Sequence, residues 1–272
     1  MDTDTEKEII KNHHIPVAVM NGHSIRRWRG MKRKDVKVWV TRYDGRVNCP
    51  RLAVSTGYEN KLYTSEYFPI NFLENWFSKW ESWYGSLRDR IIYHEPIQLD
   101  DVIQICMFVP DLMARQPDAI RWFVNRCMQT GDSEELIKAK VLFSLFKAPY
   151  GEKNLRTQNF RVCSLWNKNW CIKEIPAPCQ SFFVIGNEFP IVWDSMLKGS
   201  IGNVYFPLSS RHCLCYIEEH SYANMQHWIT ATRSYISHTQ NYYITAYPVD
   251  VDYINNLVLS FNKTVYSCKS IV

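Results

Sequence analysis

Adjacent histidines at His13 and His14, just ahead of Pro16, are the first residues in the chain suited to proton transfer. An imidazole with a pKa of about 6.5 can give or take a proton near neutrality. The same ring can instead hydrogen-bond a carbonyl and pin the N-terminal segment. Pro16 biases Ile15 away from helix, so the pair is expected just before an extended segment or turn. A second candidate lies in "FFVIGNEFPIVW", where an apolar strand ends in Asn187, Glu188 and Pro190. Burial of Glu188 would raise its pKa, as a general acid needs, and a cationic neighbour would lower it. The plainer role for Glu188 is to cap a turn and face water. A third feature is the run "RRWRGMKRKDVK", in which Arg26, Arg27, Arg29, Lys32, Arg33, Lys34 and Lys37 face one acid, Asp35. Such a field attracts phosphate, and Trp28 offers a stacking surface for single-stranded nucleic acid. A solvated basic loop is the plain alternative.

Other chemistries find less support. "RHCLCY" puts His212, Cys213 and Cys215 together, with Cys163, Cys171 and Cys179 upstream. Structural zinc takes paired ligands at C-x2-4-C spacing, and no C-x2-C pair occurs. In a strand, Cys213 and Cys215 would share one face and His212 the other. Buried thiols are the expectation, with no metal and no cofactor. No G-x-S-x-G elbow, G-x4-G-K-[ST] loop or G-x-G-x-x-G fingerprint is present, which disfavours hydrolase-elbow, P-loop and Rossmann readings.

These groups need a scaffold, and the patterning supplies one. "VKVWVTRY", Asp44-Gly45 and "RVNCPRLAV" predict a hairpin over 36–54. Leu73, Trp76, Phe77, Trp80, Trp83, Tyr84, Leu87 and Ile91 recur at helical steps, predicting a helix from about 70 to 92 with Glu74, Lys79, Arg88 and Asp89 mostly off that face. "LDDVIQICMFV" reads as a helix after an Asp cap, stopping at Pro110. "QPDAIRWFVNRCMQ" reads as one starting at Pro117, and "GDSEELIKAKVLFSLF" as one capped by Asp132 or Ser133. Three β-rich runs follow, "NWCIKEIP", "QSFFVIGNEFPIVW" and "GNVYFPLSSRHCLCYI". Two helices are expected to close the chain, "SYANMQHWITATRSYISHTQ" and "VDVDYINNLVLSFNKTVYS".

The expectation is therefore one α+β domain over 1–272. It has a small, mostly antiparallel sheet built from the hairpin region 36–63 and the strands of 170–217. The helical block 70–147 and C-terminal helices of 221–268 pack on it. With 272 residues, 46% apolar and 14% aromatic, a sizeable core is available. No apolar run approaches the roughly 20 residues that span a bilayer, so no membrane partner is expected. Nine cysteines without a framework and an acidic, polar start suggest reduced thiols and a cytoplasmic location.

Several short motifs occur in an order that resembles an uncharacterised bacterial and phage family, domain of unknown function family 4238. The residues are His14-x-Pro16 for its H-x-x-P opening, the hairpin ending at Tyr63, and "FLENWFSKWESWYGSL" with Glu74 and Glu81. "ARQPDAIRWF" follows with Gln116 and Arg121, then "GNEFP", "FPLSS" at 206–210, and "YINNLVLSFNKTVYS" with Asn255 or Asn256. The family's opening is departed from as H-I-P, and Glu188 stands where it has Asp. The resemblance implies Gln116, Arg121 and Asn187 as supporting residues, and by association a phage-conflict setting.

The functional expectation is a nucleic-acid-directed hydrolase of a phosphodiester or N-glycosidic bond. His13, His14 and Glu188 would be catalytic, and Arg26, Arg27, Trp28, Arg29, Lys32, Arg33 and Lys34 would hold nucleic acid. The alternatives are a non-enzymatic sensor or inhibitor binding a protein or nucleic acid, and a metal-dependent nuclease.

Overall fold

The computed structural model describes residues 8–26, 31–42, 44, 47–128, 131–146, 169–194, 196–197, 200–217 and 243–271. The architecture is α+β, with two main sheets where one was expected.

The smaller sheet grows from the hairpin. β2 (Lys37–Arg42) and β3 (Asn48–Leu52) pair antiparallel from Lys37↔Leu52 to Thr41↔Asn48. Val36, Val38 and Val40 are buried while Lys37 is exposed and Trp39 half-buried, as period-2 alternation requires. The pattern breaks only at the strand end, where Thr41 is buried and Arg42 exposed. The other side of β2 is covered by the end of the chain. The sequence "NKTVYS" is no helix: α6 (Pro248–Phe261) stops before Asn262, whose φ of −129° is extended. Strand β13 (Thr264–Ser267) follows and pairs with β2 on one side and β6 (Ile185–Gly186) on the other. Thr, Val and Tyr suit a pleated, half-buried surface, and the partner, Tyr266↔Val40, is remote in sequence. The order is β3-β2-β13-β6.

The larger sheet takes the other β-rich runs, in the order β12-β5-β11-β10-β7. These are β12 (Tyr243–Thr245), β5 (Asn169–Glu174), β11 (His212–Ile217), β10 (Val204–Pro207) and β7 (Val192–Trp193). Only the β12–β5 pair is parallel. Both faces of β11 are buried. Leu214 and Tyr216 join the main core, and Cys213 and Cys215 join Cys171 in a second core under α6, with Val251, Ile254 and Val258. His212 therefore lies on the face opposite the thiols.

Helix α2 (Phe72–Ile92) buries Leu73, Phe77, Tyr84, Leu87 and Ile91, the anticipated stripe. Arg88 departs from expectation. It is 3% exposed and donates to the Ala18 carbonyl and to Asp89. Helix α3 (Leu99–Ala114) runs through Pro110 instead of stopping there. Proline inside a helix costs about 3 kcal/mol, and the buried face of Phe108, Val109, Leu112 and Met113 offsets it. Its start is held by Asp101, which accepts from the Gln98 amide at 2.8 Å. α4 (Pro117–Cys127) opens on proline, and α5 (Glu134–Phe146) is capped by Ser133, whose Oγ accepts from Leu136 N at 3.3 Å. The helix expected over 221–240 lies outside the described residues, as does Gly45 of the hairpin turn. No helix among the described residues is long and apolar enough to cross a membrane.

Candidate functional site

The double histidine enters the fold as the end of a short strand. β1 (Lys11–His13) pairs with β4 (Tyr58–Asn60), placing His13 opposite Tyr58. Ile15 N then donates to the Gly57 carbonyl at 3.1 Å, and Pro16 starts the short helix α1 (Val17–Asn21). Gly57 has a φ of +66°, and a Cβ there would press on Ile15 and Met20 at 3.2 and 3.3 Å. Alternation along β1 turns Asn12 and His14 inward, at 0% and 5% exposure, and leaves His13 against the Tyr58 ring.

Two consecutive residues at the α3–α4 junction grip the histidine backbone. Arg115 Nη2 donates to the His13 carbonyl at 2.7 Å, and Gln116 Nε2 to the His14 carbonyl at 3.3 Å. Gln116 thus supports the segment through its backbone. Arg115, not singled out by the sequence, is the stronger anchor. It is 1% exposed, ion-paired with Glu81 at 2.9 Å, and stacked on Phe77 at 4.1 Å.

The "GNEFP" turn is stitched to the start of β13. Asn187 N donates to the Thr264 carbonyl at 2.9 Å, and Phe189 N donates to Asn262 Oδ1 at 2.6 Å. Glu188 Oε2 accepts from the amides of Lys263 and Thr264, at 3.0 and 3.2 Å. That oxygen is committed to backbone, as a turn cap would be, while Oε1 accepts from Asn187 Nδ2 at 3.4 Å. The residue this turn presents is Asn187, whose Oδ1 accepts a short hydrogen bond from the Tyr266 hydroxyl. Tyr266 also meets Thr56 Oγ1 at 3.1 Å.

His14 and Asn187 line the same cleft, of about 430 Å³, together with Thr56, Tyr266, Arg42 and Arg51. Neither His14 ring nitrogen closes a well-formed hydrogen bond. Burial lowers its pKa to about 4, against the opposing influence of the nearby Asn187 side chain. Burial, then Arg33, lowers that of His13 to about 4 as well. Both rings are neutral at pH 7, so His14 has a lone pair to accept a proton. Burial also raises the Tyr266 phenol above its ordinary range, which keeps it a hydrogen-bond donor.

His13, His14 and Glu188, the residues expected to be catalytic, do not line one cleft together. His14 shares its cleft with Asn187, one residue before Glu188. Glu188 is held away by two amides, and His13 is turned toward Tyr58. Of the basic run, Arg26, Lys32, Arg33 and Lys34 are exposed, and Arg27, Trp28 and Arg29 lie outside the described residues. None of those described lines the His14 cleft; its cations are Arg42 and Arg51, both from the hairpin. A hairpin read only for its alternation gives no reason to single out those two. Arg121 makes surface ion pairs with Glu59 and Asp118 instead.

Among the described residues, the one group of His, Cys and carboxylate atoms close enough to share an ion is elsewhere. It comprises His94, Glu174 and His212, where the turn after α2 meets the larger sheet. No family model, no curated protein and no solved structure matches the chain.

Proposed function

We propose that this chain is a nucleic-acid-directed hydrolase working at the cleft over His14. The observation that carries the reading is a neutral, buried imidazole next to the Asn187 amide, lining a cleft with the Tyr266 phenol and with two arginines on its wall. A neutral imidazole accepts a proton from water, and positioned general bases contribute about 10²–10⁴ in rate, toward the lower end for a ring that burial makes a weaker base than free histidine. Arg42 and Arg51 suit the phosphate of a phosphodiester, which a guanidinium can hold through two parallel hydrogen bonds. The Asn187 amide, held in place by the Tyr266 hydroxyl, adds a neutral donor that could stabilise developing charge. Glu188 takes the role of a positioning residue, fixing the turn that presents Asn187.

The test is hydrolysis of single- and double-stranded DNA and RNA, including substrates that report base release. Wild type should turn over at least one of these, and His14→Gln should lower kcat by at least about 100-fold. Arg51→Ala should raise KM and flatten the salt dependence of binding by roughly one phosphate contact. Tight nucleic-acid binding without turnover would overturn the hydrolase reading in favour of a binding protein.

A further inference from the structure

We propose that His94, Glu174 and His212 form a binding site for one divalent transition-metal ion of the zinc class. His94 Nε2 lies 3.1 Å and His212 Nε2 3.4 Å from the same oxygen, Glu174 Oε1, and all three ligand atoms fall within 4.8 Å of one another. Ligands at about 2.1 Å from an ion are separated by roughly 3.0 Å in cis-octahedral and 3.4 Å in tetrahedral geometry. The two spacings to Glu174 match those edges, and a rotation of the half-exposed His94 ring would bring the two imidazole nitrogens, within 4.8 Å of each other, to a shared ion. Two imidazoles and one carboxylate are a nitrogen–oxygen donor set suited to zinc, cobalt(II) or iron(II), with positions left for water.

Three separate elements bring these residues together. Glu174 and His212 are directly opposed in the β5–β11 ladder. The His212 ring is oriented from behind by Ser209, whose Oγ lies 3.0 Å from Nδ1. Such outer-shell contacts set the tautomer and direction of a ligand imidazole. Ser209 Oγ already accepts from the amides of Arg211 and His212, so in the metal-free state it donates to Nδ1 and leaves the ring proton on Nε2, toward Glu174. Binding an ion through Nε2 would move that proton to Nδ1. The Ser209 contact would then have to be remade, since both Oγ lone pairs already face amides.

His94 supplies the independent argument. It occupies the position just past α2 where a left-handed residue closes the helix. Glu95 N bonds to Arg90 O at 2.8 Å and His94 N to Ile91 O at 3.2 Å. The His94 φ is +55°, and glycine is the residue favoured there. A histidine at such a position carries a backbone cost that glycine would avoid, and strain of this kind gathers at functional sites. Its ring stacks on Tyr243 at 4.1 Å, and the Tyr243 hydroxyl ties back to the Ile91 carbonyl at 2.6 Å. The helix end, the strand β12 and the imidazole are thereby held as a unit facing Glu174. This site shares no residue with the His14 cleft and does not depend on its reading.

The experiment is titration of the metal-free protein with Zn²⁺ by calorimetry and with Co²⁺ by visible absorption. Wild type should take up one equivalent of each, with a cobalt spectrum of nitrogen–oxygen ligation. Its melting temperature should rise by roughly 5 °C or more at 100-fold excess over Kd. His94→Gly installs the residue the turn prefers, so it should fold at least as well while weakening Zn²⁺ at least tenfold. Glu174→Gln should do the same. The proposal is overturned if wild type binds neither metal, or if His94→Gly and Glu174→Gln bind as well as wild type. Thiolate-type cobalt absorption would also overturn it, since the ion would then sit on cysteines.

Discussion

Replacing Arg115 by methionine should be among the most damaging single changes outside the apolar core. The guanidinium is 1% exposed and holds three things together. It pairs with Glu81 at 2.9 Å, donates to the His13 carbonyl at 2.7 Å, and lies over the Phe77 ring at 4.1 Å. Methionine keeps much of the volume and loses all the donors. Glu81 is then left 9% exposed with its cation removed. Breaking a buried ion pair from one side costs about 3–5 kcal/mol, mostly because the surviving charge is uncompensated. For a chain of this size that corresponds to a fall in Tm of roughly 6–20 °C. Urea unfolding of wild type, Arg115→Met, Glu81→Leu and the double variant measures it as a cycle. The double variant should recover at least half the loss, since an apolar pair removes the stranded carboxylate. A loss below about 1 kcal/mol, or a double variant no better than the worse single, would refute the argument.

Further outcomes follow from the same structure. Gly186→Ala should destabilise by about 1–3 kcal/mol, because its Cβ would fall 2.1 Å from the Asn262 side chain that stitches the Asn187 turn; thermal unfolding reads this. Burial lowers the pKa of His14 and of His23 to about 4, from an unfolded value of about 6.5. The unfolded chain therefore binds more protons between those values, so stability should be full above pH 6.5 and fall as pH drops toward 4. With His13, whose pKa burial lowers likewise, these two histidines should remove roughly 5 kcal/mol between pH 7 and 5, and His14→Gln should take away about a third of that slope in urea titrations. Glu188→Gln should keep an acceptor oxygen for Lys263 and Thr264 while weakening it, costing about 1–2 kcal/mol by denaturant unfolding.

Much of the scaffold was readable from local pattern. The valine alternation in β2, the aromatic stripe of α2, Pro117 at the start of α4 and Ser133 before α5 all express their roles within a few residues. The failures share a cause, which is that tertiary packing overrode a local signal. Pro110 reads as a stop, yet burial on both sides carries α3 through it. "NKTVYS" follows a helical run, yet pairing with β2 and β6 makes it a strand. Arg88 and Arg115 look like surface cations, but each is buried by partners far along the chain. The candidate site was half legible. His14 and the "GNEFP" turn were recognised as polar anchors, and the turn does approach His14. Which side chain of the turn faces the cleft depends on backbone amides at Lys263 and Thr264, about 75 residues onward, that capture Glu188 Oε2 and leave Asn187 against Tyr266. The His94–Glu174–His212 cluster left no local trace, since its members are 38 to 118 residues apart; His212 drew notice only beside cysteines that point the other way.

The central claim is that His14, with Asn187, is the working centre of the cleft and Glu188 only shapes it. The most direct measurement is hydrolysis of a nucleic-acid panel by wild type, His14→Gln and Glu188→Gln, at a temperature where all three are folded by circular dichroism. The account predicts at least about a 100-fold loss in kcat for His14→Gln and less than a tenfold loss for Glu188→Gln. Full activity in His14→Gln together with an inactive Glu188→Gln would contradict it.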